Sequence, residues 1–264
     1  MDWESFEKQI RKELVNMSRE QLVQFAWLSA VRALPFIGAG GNFDYWNNQD
    51  EEGEKQYFLY IIFRALDVSY NSIFAGAKAA DNEYDAFIKF TGSNYDEARH
   101  AINDYYSIYA SAAYSVVYSV VHAHSAAACT LAATHYITDC TVSAASAAAS
   151  AAAGYDGAVT HNSAQEYDYD GYFCVKMQNI LLADIKDIQN RRKISHIDLN
   201  WYGKVWTNFQ QALKKENCSY WGNVYSNIFE KSFVLDIAAL QKRINVPFEI
   251  WVQGAAAVAR YLGK

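Results

Sequence analysis

The chain has 264 residues, of which 52% are hydrophobic, 20% charged and 16% aromatic, with a formal net charge of −6. That balance excludes an intrinsically disordered chain, and the length suffices to bury a sizeable core. It also disfavours nucleic acid as a partner, since phosphate neutralisation needs a basic stripe and the one basic cluster is Arg191-Arg192-Lys193.

Only two prolines, Pro35 and Pro247, force the backbone out of a helix, whereas an all-β chain of this size needs far more turn punctuation. Cys129, Cys140, Cys174 and Cys218 form no C-x-x-C pair, so neither a zinc knuckle nor a thioredoxin-type motif is supported. The charged start Met1-Asp2-Trp3-Glu4 lacks the basic-then-apolar pattern of a signal peptide. The expectation is a cytoplasmic protein with reduced thiols and no cofactor.

Trp3, Phe6, Ile10 and Leu14 predict an amphipathic helix over 2–16. Ser18 and Gln21 have the spacing of a capping box for a second helix, which Pro35 should stop near Leu34. Gly38 to Gly41 then reads as a helix-terminating loop; no G-K-[ST] follows, as a phosphate loop would require. A third helix is expected over 54–75, with Arg64 and Asp67 spaced to pair on one face. A shorter helix follows over 79–90, and Ser93 caps another.

From Tyr95 to Ala153 the chain is rich in Ala, Ser and Tyr, with neither proline nor interior glycine. Alanine is the best helix former. One helix of that length is too long for a compact domain, so breaks are expected near Ser125 and near Asp139 to Ser143. The stretch between Asp104 and Asp139 carries no Asp, Glu, Lys or Arg, but its Ser, Thr, Tyr and His content argues against a membrane span. Residues 154–171 read as a loop or a frayed helix start and 172–191 as a strong helix. Shorter helices follow near Trp201 to Leu213, Tyr220 to Phe229 and Leu235 to Ile244. Pro247 then opens a final helix through Leu262.

The expected fold is therefore all-α, a multi-helix bundle with closely packed Ala-rich central helices. It forms a single domain over 1–264, divisible into an Ala-rich bundle (1–153) and a C-terminal helical part (172–264). The segment FAWLSAVRALPFI, the Ala/Tyr-rich middle, Trp201, Trp206 and Trp221, and the tail FEIWVQGAAAVARYL stand in an order that resembles a group of bacterial Ala/Tyr-rich all-helical proteins. No activity is established for that group. The resemblance spans most of the chain and implies an all-helical fold and a bacterial source, with no catalytic residue to carry over.

Three candidate sites emerge. His135 and Asp139 are four apart, and His124 joins them if the segment folds back, giving a metal set of His124, His135 and Asp139. The competing reading is core histidines bonded to hydroxyls. Asp81-Asn82-Glu83-Tyr84-Asp85 and Asn103-Asp104-Tyr105-Tyr106-Ser107 partly resemble the two magnesium-binding motifs of class I terpene synthases. They depart from that pattern in the close spacing of the motifs, in Ser111 where the family has an acidic residue, and in the lack of adjacent aspartates in the first motif. Solvated helix starts account for both segments. Finally, Tyr155, Asp156, Tyr167, Asp168, Tyr169, Asp170 and Tyr172 form a polar and aromatic binding-surface candidate.

The leading functional expectation is a non-enzymatic binding or scaffold protein in a bacterial complex, of a stress or phage-defence kind. A protein partner or self-association would cover part of the Ala-rich helices, Ala148 and Ala152 included. The alternatives are a metal-dependent hydrolase using His124, His135 and Asp139, and a sensor of a small ligand or nucleotide held between helices.

Overall fold

A computed structural model describes residues 1–44, 54–75, 109–129, 134–162, 171–192, 194, 202–230 and 235–264. The described residues hold eleven α-helices, one 3-10 turn and no strand, and the helices pack on one another as an all-α bundle. No helix among the described residues is long and apolar enough to cross a membrane. The helices expected over 79–90 and after Ser93, both terpene-synthase-like motifs and Trp201 lie outside the described residues.

α1 (Trp3–Leu14) starts at Asp2, whose carboxylate accepts from the Ser5 N–H at 2.9 Å. Phe6, Ile10 and Leu14 recur every four residues and are buried, so α1 lies on the surface with one face down. α2 (Arg19–Ala33) opens with the predicted capping box. Ser18 Oγ accepts from Gln21 N at 3.3 Å, and Gln21 Oε1 accepts from Ser18 N at 2.9 Å. Twelve of its fifteen residues are buried, and only Glu20, Gln21 and Gln24 in its first turns face solvent. α3 (Glu54–Ala75), α4 (Ala110–Ala128), α5 (Thr134–Asn162) and α6 (Tyr172–Gln189) all pack on α2, which is the axis of the bundle. Pro35 ends α2 as expected, in a 3-10 turn at Leu34–Gly38.

α4 and α5 form the most extensive helix pair among the described residues. Ala112, Ala113, Ala123 and Ala126 of α4 and Ala144, Ala145, Ala148 and Ala152 of α5 are all fully buried. Side chains this small let helix axes approach closely. At Gly154 a Cβ would sit 2.8 Å from the Ala112 nitrogen, so the glycine marks a near contact of backbones. The loop expected over 154–171 accordingly begins later, and α5 stays helical to Asn162.

The breaks in the Ala-rich run also differ from expectation. α4 continues through Ser125, the chain turns extended at Cys129 (ψ 143°), and α5 passes unbroken through residues 139–143. The position is explained by Arg19, which is buried. Its Nη2 donates to the Ala127 carbonyl at 2.6 Å, its Nε to the Cys129 carbonyl at 3.0 Å, and its Nη1 to the Ser72 carbonyl at 3.4 Å. Carbonyls at a helix end have no partner within the helix, and this one guanidinium supplies it for α4.

The C-terminal helices are α7 (Lys204–Lys215), α8 (Ser219–Glu230), α9 (Ile237–Ile244), α10 (Phe248–Trp251) and α11 (Ala255–Tyr261). The final helix expected after Pro247 is thus split in two. Gly254 separates the halves with φ +93°, and a Cβ there would collide with Gln56 of α3. One hydrophobic cluster runs from Phe6 to Val258. Two buried ion pairs tie the two ends of the chain together. Arg32 of α2 grips Asp184 of α6 bidentately, and Arg243 of α9 grips Asp67 of α3 at 2.6 and 2.7 Å. Asp67 is thus held by Arg243 instead of the expected Arg64, which donates to Tyr60 Oη at 3.1 Å and the Ile244 carbonyl at 2.9 Å.

Burial pushes the Asp184 carboxyl up to about 6, against the downward pull of Arg32. The partners therefore fail differently when orphaned. A carboxyl can take up a proton, whereas a guanidinium cannot lose one. We expect Asp184→Leu to cost about 3–5 kcal/mol in urea unfolding, and Arg32→Leu less. An orphaned Asp184 titrates above its unfolded value, so the stability of Arg32→Leu is highest below about pH 4 and falls as pH rises through the folded value. The double variant should recover most of the loss. Equal single-variant costs with no recovery would refute this account.

Ala148 and Ala152, which the sequence reading assigns to an interface with a second chain, are fully buried within the chain itself. Ala148→Arg should therefore abolish cooperative thermal unfolding followed by circular dichroism. A variant that stayed folded but dropped in mass would place the alanine between chains instead.

Candidate functional site

α4 carries Tyr114, Tyr118 and His122 at four-residue spacing, which puts the three rings on one face. The tyrosine rings lie 6.0 Å apart at 26°, and His122 meets Tyr118 edge-on at 4.6 Å. Across from them α5 carries Ser143, Ser146 and Ser150 at intervals of three and four. Between these two rows, with Glu7 of α1 beside them, lies an open groove of about 290 Å³. Ser115 and Ala147 complete its lining. One wall is aromatic, the other is a row of hydroxyls, and the small side chains of α5 leave the space between.

Glu7 is the one carboxylate among the described residues lining the groove, and its Oε1 accepts from Ser146 Oγ at 2.9 Å. Ser115 Oγ donates to the Ser111 carbonyl one turn earlier at 3.1 Å. His122, at the end of the ring row, is held below its ordinary range by burial, which favours the neutral imidazole. The groove thus offers π faces, rotatable hydroxyls and a single negative charge. These are groups suited to contact and hydrogen bonding.

His135 and Asp139 come together as their spacing predicts, with Nε2 3.6 Å from Oδ2, and Arg11 of α1 holds the other Asp139 oxygen at 2.6 Å. His124 does not join them. It is buried, with Nδ1 3.3 Å from Ser69 Oγ of α3, while His135 is 88% exposed. No group of three or more His, Cys, Asp or Glu side chains able to hold a metal occurs among the described residues.

The binding-surface candidate divides in a similar way. Tyr155 and Asp156 are buried. Tyr155 packs on Phe36 at 5.8 Å and Phe173 at 4.9 Å, and burial raises its phenol to about 12. The Asp156 carboxylate accepts the Phe173 and Cys174 N–H groups at 3.0 and 2.9 Å, so an acid of one helix caps the first turn of the next. Tyr172 is exposed. Tyr167, Asp168, Tyr169 and Asp170 lie outside the described residues.

Sequence reading missed the groove. Its aromatic wall was visible as the repeat YSVVYSVVH, and its hydroxyl wall as SAASAAAS. Nothing in the sequence pairs those segments with Glu7, more than a hundred residues earlier. No protein-family model, curated protein or solved structure matches the chain.

His135 is mostly solvated, so His135→Ala should shift the urea midpoint by no more than the equivalent of about 0.5 kcal/mol. A larger loss, or metal recovered with the wild type and absent from the variant, would assign the His135–Asp139 pair a structural or metal-binding role.

Proposed function

We propose that this chain is a non-catalytic helical binding protein that docks a polypeptide segment in the groove between α1, α4 and α5. The observation that carries this reading is the two-walled lining, with tyrosine rings on one helix facing serine hydroxyls on its neighbour. Tyrosine gives a large amphipathic contact area at low entropic cost, and serine gives adaptable hydrogen bonding. The same pairing dominates antibody combining sites. Here both residue types stand on helices whose inner faces are locked by buried alanines, so little ordering remains to be done on binding. The sequence resemblance supports a bacterial complex as the setting.

A photo-crosslinking residue in place of Tyr118 should trap a discrete polypeptide in the native host, and one in place of the exposed Lys242 of α9 should not. Ser150→Arg, which fills the groove from its hydroxyl wall, should abolish the adduct and leave the helical spectrum intact. Equal labelling from both positions, or labelling indifferent to Ser150→Arg, would refute the docking site.

A further inference from the structure

The chain's arginines are mostly committed. Arg11 pairs with Asp139, Arg32 with Asp184 and Arg243 with Asp67, while Arg19 and Arg64 hold backbone carbonyls. Arg191, Arg192 and Arg260 differ, and of these Arg191 and Arg192 stand side by side. Both are exposed, and neither enters an ion pair among the described residues. They sit on a well-defined turn after α6. Arg191 N donates to the Ile188 carbonyl at 3.1 Å and Arg192 N to the Asp187 carbonyl at 2.8 Å, the paired bonds of a Schellman helix end. That geometry puts its left-handed position at residue 191, where φ is +52°. Glycine is the residue that adopts this conformation without strain. An arginine there is strained, and it places an exposed cation at the tip of the turn.

We propose that the groove accepts the Arg191–Arg192 turn of a second copy of this chain. The proposal rests on the docking reading above and names the occupant. The charges are complementary. The turn brings two guanidinium groups outside any ion pair, and Glu7 is the one carboxylate among the described groove-lining residues. The surfaces also suit one another, because a guanidinium stacks on aromatic faces such as the Tyr114–Tyr118 wall while its N–H groups reach a carboxylate. Groove and turn are different patches, so each copy both gives and receives. Such a contact closes as a symmetric pair if the two patches meet reciprocally, and as a ring or chain if they do not.

The test is the mass of the full-length protein by light scattering, across concentration, at low and high salt. Self-association that weakens with salt is expected. Glu7→Arg and the double change Arg191→Glu/Arg192→Glu should each weaken it by about tenfold or more. Combining all three changes in one chain reverses both charges and should restore it. Arg191→Gly should raise the melting temperature by relieving the left-handed position, yet weaken association. That pair of effects separates a docking role from a purely structural one.

A monomer at every concentration would overturn the proposal, as would an assembly that tolerates either charge reversal. A crosslink from position 118 to a different polypeptide, captured by a chain that stays monomeric, would overturn it while leaving the docking groove standing. Absence of both self-association and any position-specific crosslink would remove the groove reading as well.

Discussion

Close approach of α4 to α5 through alanine is the constraint on which the rest of the structure depends. Alanine contributes little apolar area, so a pair of alanine-faced helices is stable only if the backbones come near enough for dispersion contacts to accumulate. The notch at Gly154 against Ala112 shows how near that is. Such a pair still buries too little alone, and the large side chains that complete the core come from elsewhere. α2 supplies Phe25, Trp27 and Leu28, all buried, and α3 adds Leu59, Phe63 and Leu66. Because α4 and α5 are slim, α2 can be enclosed on every side beyond its first turns, which explains why no polar face continues past Gln24.

Enclosure creates a second problem, since a helix buried all round takes its polar residues with it. Arg19 and Arg32 are both on α2 and both buried, and they are satisfied by different means. Arg32 meets a carboxylate, whereas Arg19 meets carbonyls at the end of α4 and near the end of α3, where the helix dipoles are negative. Removing a charge from water is costly unless its hydrogen bonds are replaced. These contacts therefore act as registers, since a slip of α2 by one turn would strand both cations. Arg243 and Asp67 do the same for α9 against α3.

The contrast between legible and illegible parts of the sequence follows the same division. Signals that act within one turn were readable. The Ser18 capping box, the stop at Pro35 and the span of α6 all came out within a residue or two, and the expected helix over 54–75 is present as α3. Signals that need a distant partner were not. The end of α4 is fixed by Arg19, more than a hundred residues away, because alanines and serines give no local reason to stop at one point over another. Gly154 resembles a helix breaker in sequence but is a contact notch, and Asp156 resembles a loop acid but caps another helix. Asp67 sits three residues from Arg64 and nevertheless binds Arg243. The groove belongs to the same class, for its walls are local repeats while its shape is a product of helix pairing.

The groove is also where the alanine packing has a consequence for binding. α5 presents alanine inward and serine outward, a pattern that costs little helix stability and keeps both faces small. A tyrosine row on α4 then stands above its neighbour with empty volume beside it, where larger side chains on α5 would have filled the space. Binding to such a surface avoids the entropic cost of ordering loops, and it avoids displacing tightly held side chains. It does lose some hydration of hydroxyls, which a partner rich in donors can replace better than an apolar one. A guanidinium supplies five donors in a plane, along with a flat face for the rings. The chemistry of the groove therefore favours a cationic, planar, hydrogen-bonding visitor over an aliphatic one.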